Sequence, residues 1–162
     1  MPSLITQELL QFLRGHYQLD WYGIHGVRHW ARVRANGLLL SRETGANRAV
    51  VELFGFLHDC CRWDDGEDPE HGERAAALVP QLNGRYFDLA DQEVALLMEA
   101  IQGHDIWPWH KDPTIATCWD TDRLHLYRVG IRPDPRYLCT APGKALAGQY
   151  RPRKAQRAKV GC

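Results

Sequence analysis

The stretch from Ala49 to Arg62, AVVELFGFLHDCCR, constrains this chain more than any other. Ala49, Val50, Leu53, Phe54 and Leu57 recur at the spacing of one helix face, so the segment predicts a helix that needs a core to cover it. The apolar run then ends in the pair His58-Asp59. An imidazole and a carboxylate at the end of a buried helix are costly unless something uses them. A single carbonyl could satisfy His58, and Asp59 could cap a turn or pair with Arg62. The dipeptide therefore acquires meaning only in company.

Helical periodicity dominates the rest of the chain. A first helix is expected over 3–14, capped by Ser3, with Ile5, Leu9, Leu10 and Leu13 on one face. A second is expected over 26–40, ending at Asn36-Gly37 or soon after, and the apolar run above makes a third, 46–61. The segment RWDDGEDPEHG reads as an acidic loop opening into a helix near Pro69, which should stop near Pro80. Further helices are expected over 89–102 and over 114–129, with Pro113 just before the latter. Between Gly130 and the basic tail, three prolines and weak periodicity predict extended chain that wraps over the helices and ends in a short helix. Nothing alternates strictly enough for a central strand. The expected fold is all-α, a single helical bundle of about six helices in one domain, 1–150, followed by a basic tail, 151–162.

A chain of 162 residues, 44% hydrophobic and 25% charged, has the size and composition of one soluble domain. No stretch approaches the roughly 18–20 apolar residues that a membrane helix needs. The N-terminus lacks the basic start, apolar core and small-residue cleavage site of a secretion signal. Five cysteines, two of them adjacent and none in a CxxC pair, argue against a disulfide framework and against a thiolate zinc site. Reduced thiols and a cytoplasmic location are expected. The tail holds five basic residues and no acid, leaving 15 basic against 20 acidic residues in the first 150. An acidic body argues against duplex nucleic acid as a partner. Self-association as a homodimer stays open.

Histidines and carboxylates fall at the ends or inner faces of separate expected helices: His29 in HGVRHWARV, His58-Asp59, His71 in DPEHGERAA, His104 in AIQGHD and Asp122 in CWDTDRLHLY. Imidazole and carboxylate are the natural ligands of zinc, iron, manganese and similar divalent ions, and a helical bundle can gather them into one pocket. The order His29, His58-Asp59, Asp122 resembles the HD-domain superfamily of metal-dependent phosphohydrolases. His71 and His104, with their flanking text, resemble its six-ligand subset, H…HD…H…H…D. The resemblance spans about residues 20–130.

The resemblance implies a divalent transition metal, one or two ions of Fe, Mn, Zn, Ni or Co per chain. His29, His58, Asp59 and Asp122 would hold the first, and His71 and His104 would complete a second site bridged by Asp59. CWDTDRLH offers two aspartates; family segments place the ligand just before the arginine, which selects Asp122 and leaves Asp120 as the alternative. Asp59, Arg62 and Arg123 are the expected catalytic residues, the two arginines as clamps on phosphate, with Arg32 a weaker candidate. His25 would share the face of His29 if the helix already runs there. The implied activity is hydrolysis of a phosphate ester of a small metabolite, most plausibly a nucleotide. Two rivals share the pattern: a mixed-valent di-iron oxygenase acting on a small polar or phosphonate-type substrate, and a non-catalytic regulator.

Overall fold

The computed structural model describes residues 2–149, so the basic tail lies outside the described residues. Seven α-helices follow one another: α1 (Gln7–His16), α2 (Val27–Thr44), α3 (Arg48–Leu57), α4 (His71–Leu82), α5 (Asp91–Gly103), α6 (Pro113–Leu124) and α7 (Ala141–Gln149). Short 3-10 helices, His125–Val129 and Pro135–Tyr137, connect α6 to α7. Among the described residues there is no strand, only an isolated bridge between Asn83 and Phe87. The all-α expectation holds, and α7 is the short helix expected after the extended segment.

Helix α3 is the centre of the bundle. It is buried from Val50 through Leu57 and packs on α2, α5 and α6. Trp30 of α2 and Trp119 of α6 are fully buried, and Trp119 Nε1 donates to the Ala100 carbonyl at 2.8 Å. Asn47 starts α3 by accepting the Ala49 and Val50 N–H groups. A helix with no solvent face delivers its C-terminal residues to the middle of the molecule, and those residues are His58 and Asp59.

Element boundaries differ from the sequence reading for local reasons. Thr6, not Ser3, caps α1, its Oγ1 accepting the Leu9 N–H at 3.2 Å, while Ser3 Oγ donates to Glu52 Oε1 at 2.6 Å. Helix α2 runs through Gly37, where a Cβ would come within 2.5 Å of Val51 Cγ1. That glycine permits a close crossing with α3; the helix ends at Gly45, whose φ is 71°. Helix α4 continues two residues past Pro80, because a proline this near the end removes only one helical hydrogen bond. Helix α6 tightens into the 3-10 turn at His125, closed by Gly130 with φ 81°.

Candidate metal centre

Five helices each bring a side chain to one point. His29 sits in the first turn of α2, His58 caps the end of α3 with Asp59 next, His71 opens α4, His104 caps the end of α5, and Asp122 lies in the last turn of α6. The four histidines and Asp59 are buried; the Asp122 side chain is 19% exposed, so the centre opens on its side. Gly72 is part of the construction. A Cβ there would lie 2.9 Å from the Ile101 carbonyl oxygen, so only glycine lets the start of α4 meet the end of α5.

Asp59 faces two clusters with its two oxygens. Oδ2 stands 3.4 Å from both His29 Nε2 and His58 Nε2. Asp122 Oδ1 joins that group at 3.2 Å from His29 Nε2 and 3.8 Å from His58 Nε2. Oδ1 of Asp59 stands 3.2 Å from His71 Nε2 and 3.7 Å from His104 Nε2. Within each cluster the two imidazole Nε2 atoms are 3.0 Å apart. Ligands about 2.0–2.2 Å from one ion stand roughly 2.9–3.5 Å apart at octahedral or tetrahedral angles. All the spacings but two fall in that range, the 3.8 Å from His58 to Asp122 and the 3.7 Å from His104 to Asp59 lying just beyond it, and the clusters share one carboxylate.

Hydrogen bonds at the far side of each ring fix which nitrogen faces inward. The Nδ1 atoms of His58, His71 and His104 lie 3.1, 2.5 and 2.6 Å from the carbonyl oxygens of Phe54, Asp68 and Ile101. A carbonyl only accepts, so each Nδ1 carries the proton and each Nε2 of a neutral ring points a lone pair at the centre. His29 Nδ1 is 2.8 Å from His125 Nδ1. Burial, and then the charge of His29, push the His125 pKa down to about 3, so His125 is neutral and accepts. Four inward lone pairs in two close pairs repel unless a cation lies between them.

The titration of the metal-free centre expresses the same demand. Burial alone would lower the His104 pKa, but the Asp59 carboxylate outweighs it and lifts the value to about 9. His29 is raised too, burial again opposing and Asp122 and Asp59 prevailing. Asp59 and Asp122 are held below the usual carboxylate range, the surrounding imidazoles overcoming their burial. Without a metal, the cluster of His71 and His104 therefore keeps a proton on His104 at neutral pH, and the carboxylates favour the charged form of His29 in the other. The residues present fit two divalent ions.

The neighbouring groups sort by direction. Asp120 points away: its carboxylate accepts Cys139 N–H at 2.6 Å, Thr140 N–H at 2.8 Å and Thr140 Oγ1 at 2.7 Å, securing the lead-in to α7. Asp122, two residues on, faces the histidines, as an offset of about 200° requires. Arg62 Nε donates to Asp59 Oδ1 at 3.0 Å and its Nη1 to the Asp64 carbonyl at 3.1 Å, so it touches the centre. Arg123 is engaged elsewhere. Its guanidinium donates to the carbonyls of Trp107, Pro108 and Tyr137 at 2.5, 2.9 and 3.1 Å, bracing two loops against α6. A helix turns about 100° per residue, so Arg123 cannot point where Asp122 points. His25 pairs with Asp65 at 2.9 Å, its ring 6.3 Å from that of His29. His125 has a role that the sequence reading did not assign; its signal is the three-residue step from Asp122 in TDRLH.

No family model matches the chain, and no curated protein does. A solved structure does: the crystal structure of a predicted HD superfamily hydrolase from an uncultured Thermotogales bacterium. It is 23% identical, with a TM-score of 0.64 over 88% of this chain and 82% of that one. The chain has the HD-domain fold. In this HD fold, the dipeptide that ends the central helix supplies one imidazole to a cluster and one carboxylate between two clusters.

Proposed function

We propose that the protein is a metal-dependent phosphohydrolase acting on a phosphate ester of a small metabolite, most plausibly a nucleotide. The carrying observation is the sharing of the Asp59 carboxylate between two clusters of inward Nε2 atoms. The description of the structural neighbour as a predicted hydrolase supports the same reading. His29, His58, Asp59 and Asp122 would hold one ion, and Asp59, His71 and His104 a second. Bound there, divalent ions supply a nucleophilic water at neutral pH and positive charge against the phosphoryl oxygens.

The chain's own groups do the rest. Asp59 keeps both clusters in register, and Arg62 fixes the rotation of its carboxylate through Oδ1. The Nδ1–H bonds hold each imidazole in the tautomer that leaves Nε2 free. Asp122 lies on the open side, where a phosphoryl group enters. His25, paired with Asp65 and with its ring 6.3 Å from that of His29, would hand a proton to the departing oxygen, against a burial that lowers its pKa.

The test is elemental analysis of the purified protein, then a screen of nucleotides and phosphomonoesters with the metal found. Two metal ions per chain and phosphate release that disappears on chelation are expected. Metal-loaded protein that releases no phosphate from any of them, yet consumes oxygen with an organic substrate, would replace this reading with the oxygenase.

A further inference from the structure

A second feature adjoins the centre on the side of His29 and His125. A cavity of about 330 Å³, at the low end of small-molecule sites, is walled by these two histidines and by Tyr22, Arg28, Arg32 and Arg128. Among the described residues no carboxylate lines it. That is unexpected in a body where 15 basic residues face 20 acidic ones.

The three arginines come from two elements and are left with charge to spend. Arg28 and Arg32 are four residues apart on α2 and so share a face, where like charges repel. Arg28 lies over the Tyr22 ring at 5.3 Å. Arg128 donates to the carbonyls of Ile24 and His125, which hold it in place without neutralising it. Arg32 makes no hydrogen bond or ion pair among the described residues. Guanidinium groups converging on one pocket without acids suit a phosphoryl group, whose oxygens accept from planar donors. The pocket wall includes His29, whose other edge faces the metal cluster. An anion bound here would therefore sit within the reach of one molecule already engaged at the centre.

We propose that Arg28, Arg32 and Arg128 form a second phosphate subsite, so that the substrate class is a metabolite carrying two or more phosphoryl groups in reach of each other. The subsite deepens the phosphohydrolase reading and rests on it for the word substrate, but its affinity for polyphosphate can be measured without turnover. A singly phosphorylated compound would fill the centre and leave the arginines unpaired.

The experiment is calorimetric titration of the metal-loaded protein with inorganic phosphate and with inorganic tripolyphosphate, the metal content being checked afterwards. Wild type should bind tripolyphosphate at least tenfold more tightly than phosphate, with a steep loss in high salt. Arg32→Gln and the double variant R28Q/R32Q should cut that preference at least fivefold. Arg32 holds nothing else in place, so its replacement should leave the circular dichroism spectrum and Tm unchanged, and Arg32→Lys should recover part of the preference. A wild-type preference below tenfold, or one that survives in the double variant, overturns the subsite. Phosphate release from monoesters without that preference leaves the phosphohydrolase standing and removes the subsite. The preference without any hydrolysis does the reverse.

Discussion

Replacing Asp59 with asparagine separates what the centre does for metal from what it does for the fold. The carboxylate puts Oδ2 within 3.4 Å of two Nε2 atoms and Oδ1 within 3.2 and 3.7 Å of two more. An amide of the same shape can offer oxygen to only one cluster, and turns an N–H₂ group on the other. Those hydrogens can donate to Nε2 lone pairs, so the metal-free variant should stay folded. Arg62 loses one acceptor but keeps the carbonyls of Asp64 and Gly66. At pH above about 9, where the raised His104 has given up its proton, the variant's metal-free Tm should lie within roughly 4 °C of wild type, or about 1 kcal/mol. Metal should show the contrast. One ion at 100 times its Kd adds about 2.7 kcal/mol to the native state, which in a chain of this length is roughly 5–11 °C of Tm. Two such ions should raise wild type by roughly 10–22 °C. In Asp59→Asn the rise should fall below roughly a third of that, and hydrolysis should drop to the metal-free background. The assay is differential scanning calorimetry of dialysed protein with and without added Mn²⁺, paired with elemental analysis. Two retained ions with the full thermal gain in Asp59→Asn would refute the bridging role.

His71→Ala and His104→Ala should each reduce the metal content from two ions to one while the His29, His58 and Asp122 cluster keeps its own; equal stoichiometry in variant and wild type counts against the second site. In metal-free protein, His104 is raised from 6.5 to about 9. The stability this gives is full below pH 6.5 and fades as pH rises toward 9. Tm of the metal-free form should accordingly fall across that window, and metal-induced stabilisation should grow, because metal no longer displaces a proton; a flat metal-free Tm would contradict it. His25→Gln should slow an alkyl phosphate at least tenfold more than p-nitrophenyl phosphate, whose leaving group needs no proton; equal slowing of both would remove His25 as the acid. Asp120→Ala should cost roughly 2–6 kcal/mol, from about 1–3 for each of the two backbone donors left without an acceptor, without changing metal stoichiometry in elemental analysis.

The gathering of these six residues was legible in the sequence because metal chemistry restricts residue type, and because each of the six sits at a helix end or in a terminal turn, where periodicity stops and punctuation shows. His58-Asp59 is the plainest case: an apolar helix face marks the burial, and the polar pair stands where the pattern breaks. The choice between Asp120 and Asp122 was legible only as a direction. Helical geometry states that the two diverge, and contacts across the fold state which way each goes: Asp120 toward Cys139 and Thr140, Asp122 toward His29. Arg123 shows the limit of reading by adjacency. It neighbours Asp122 in the chain, yet its guanidinium serves three carbonyls from two distant loops, and no local pattern announces such bonds. His125 lay hidden for a related reason. Its partner, His29, is 96 residues away, and a histidine that only accepts a hydrogen bond needs no special flanking text.

The same distinction explains why the arginine pocket escapes the sequence. Arg32 reads as a weaker candidate clamp on phosphate, but no local pattern singles out Arg28 or Arg128 to stand beside it. Only the fold of the chain after α6 brings Arg128 back over the start of α2, through its bond to the Ile24 carbonyl. That bond also anchors the 3-10 turn carrying His125, so the element that sets the tautomer of His29 is the one that carries the third guanidinium. The orientation of the His29 ring and the charge of the adjoining pocket thus share one support. Loss of the Arg128 bond should be felt at both, whereas loss of Arg32, which makes no hydrogen bond or ion pair among the described residues, should be felt only by a bound anion.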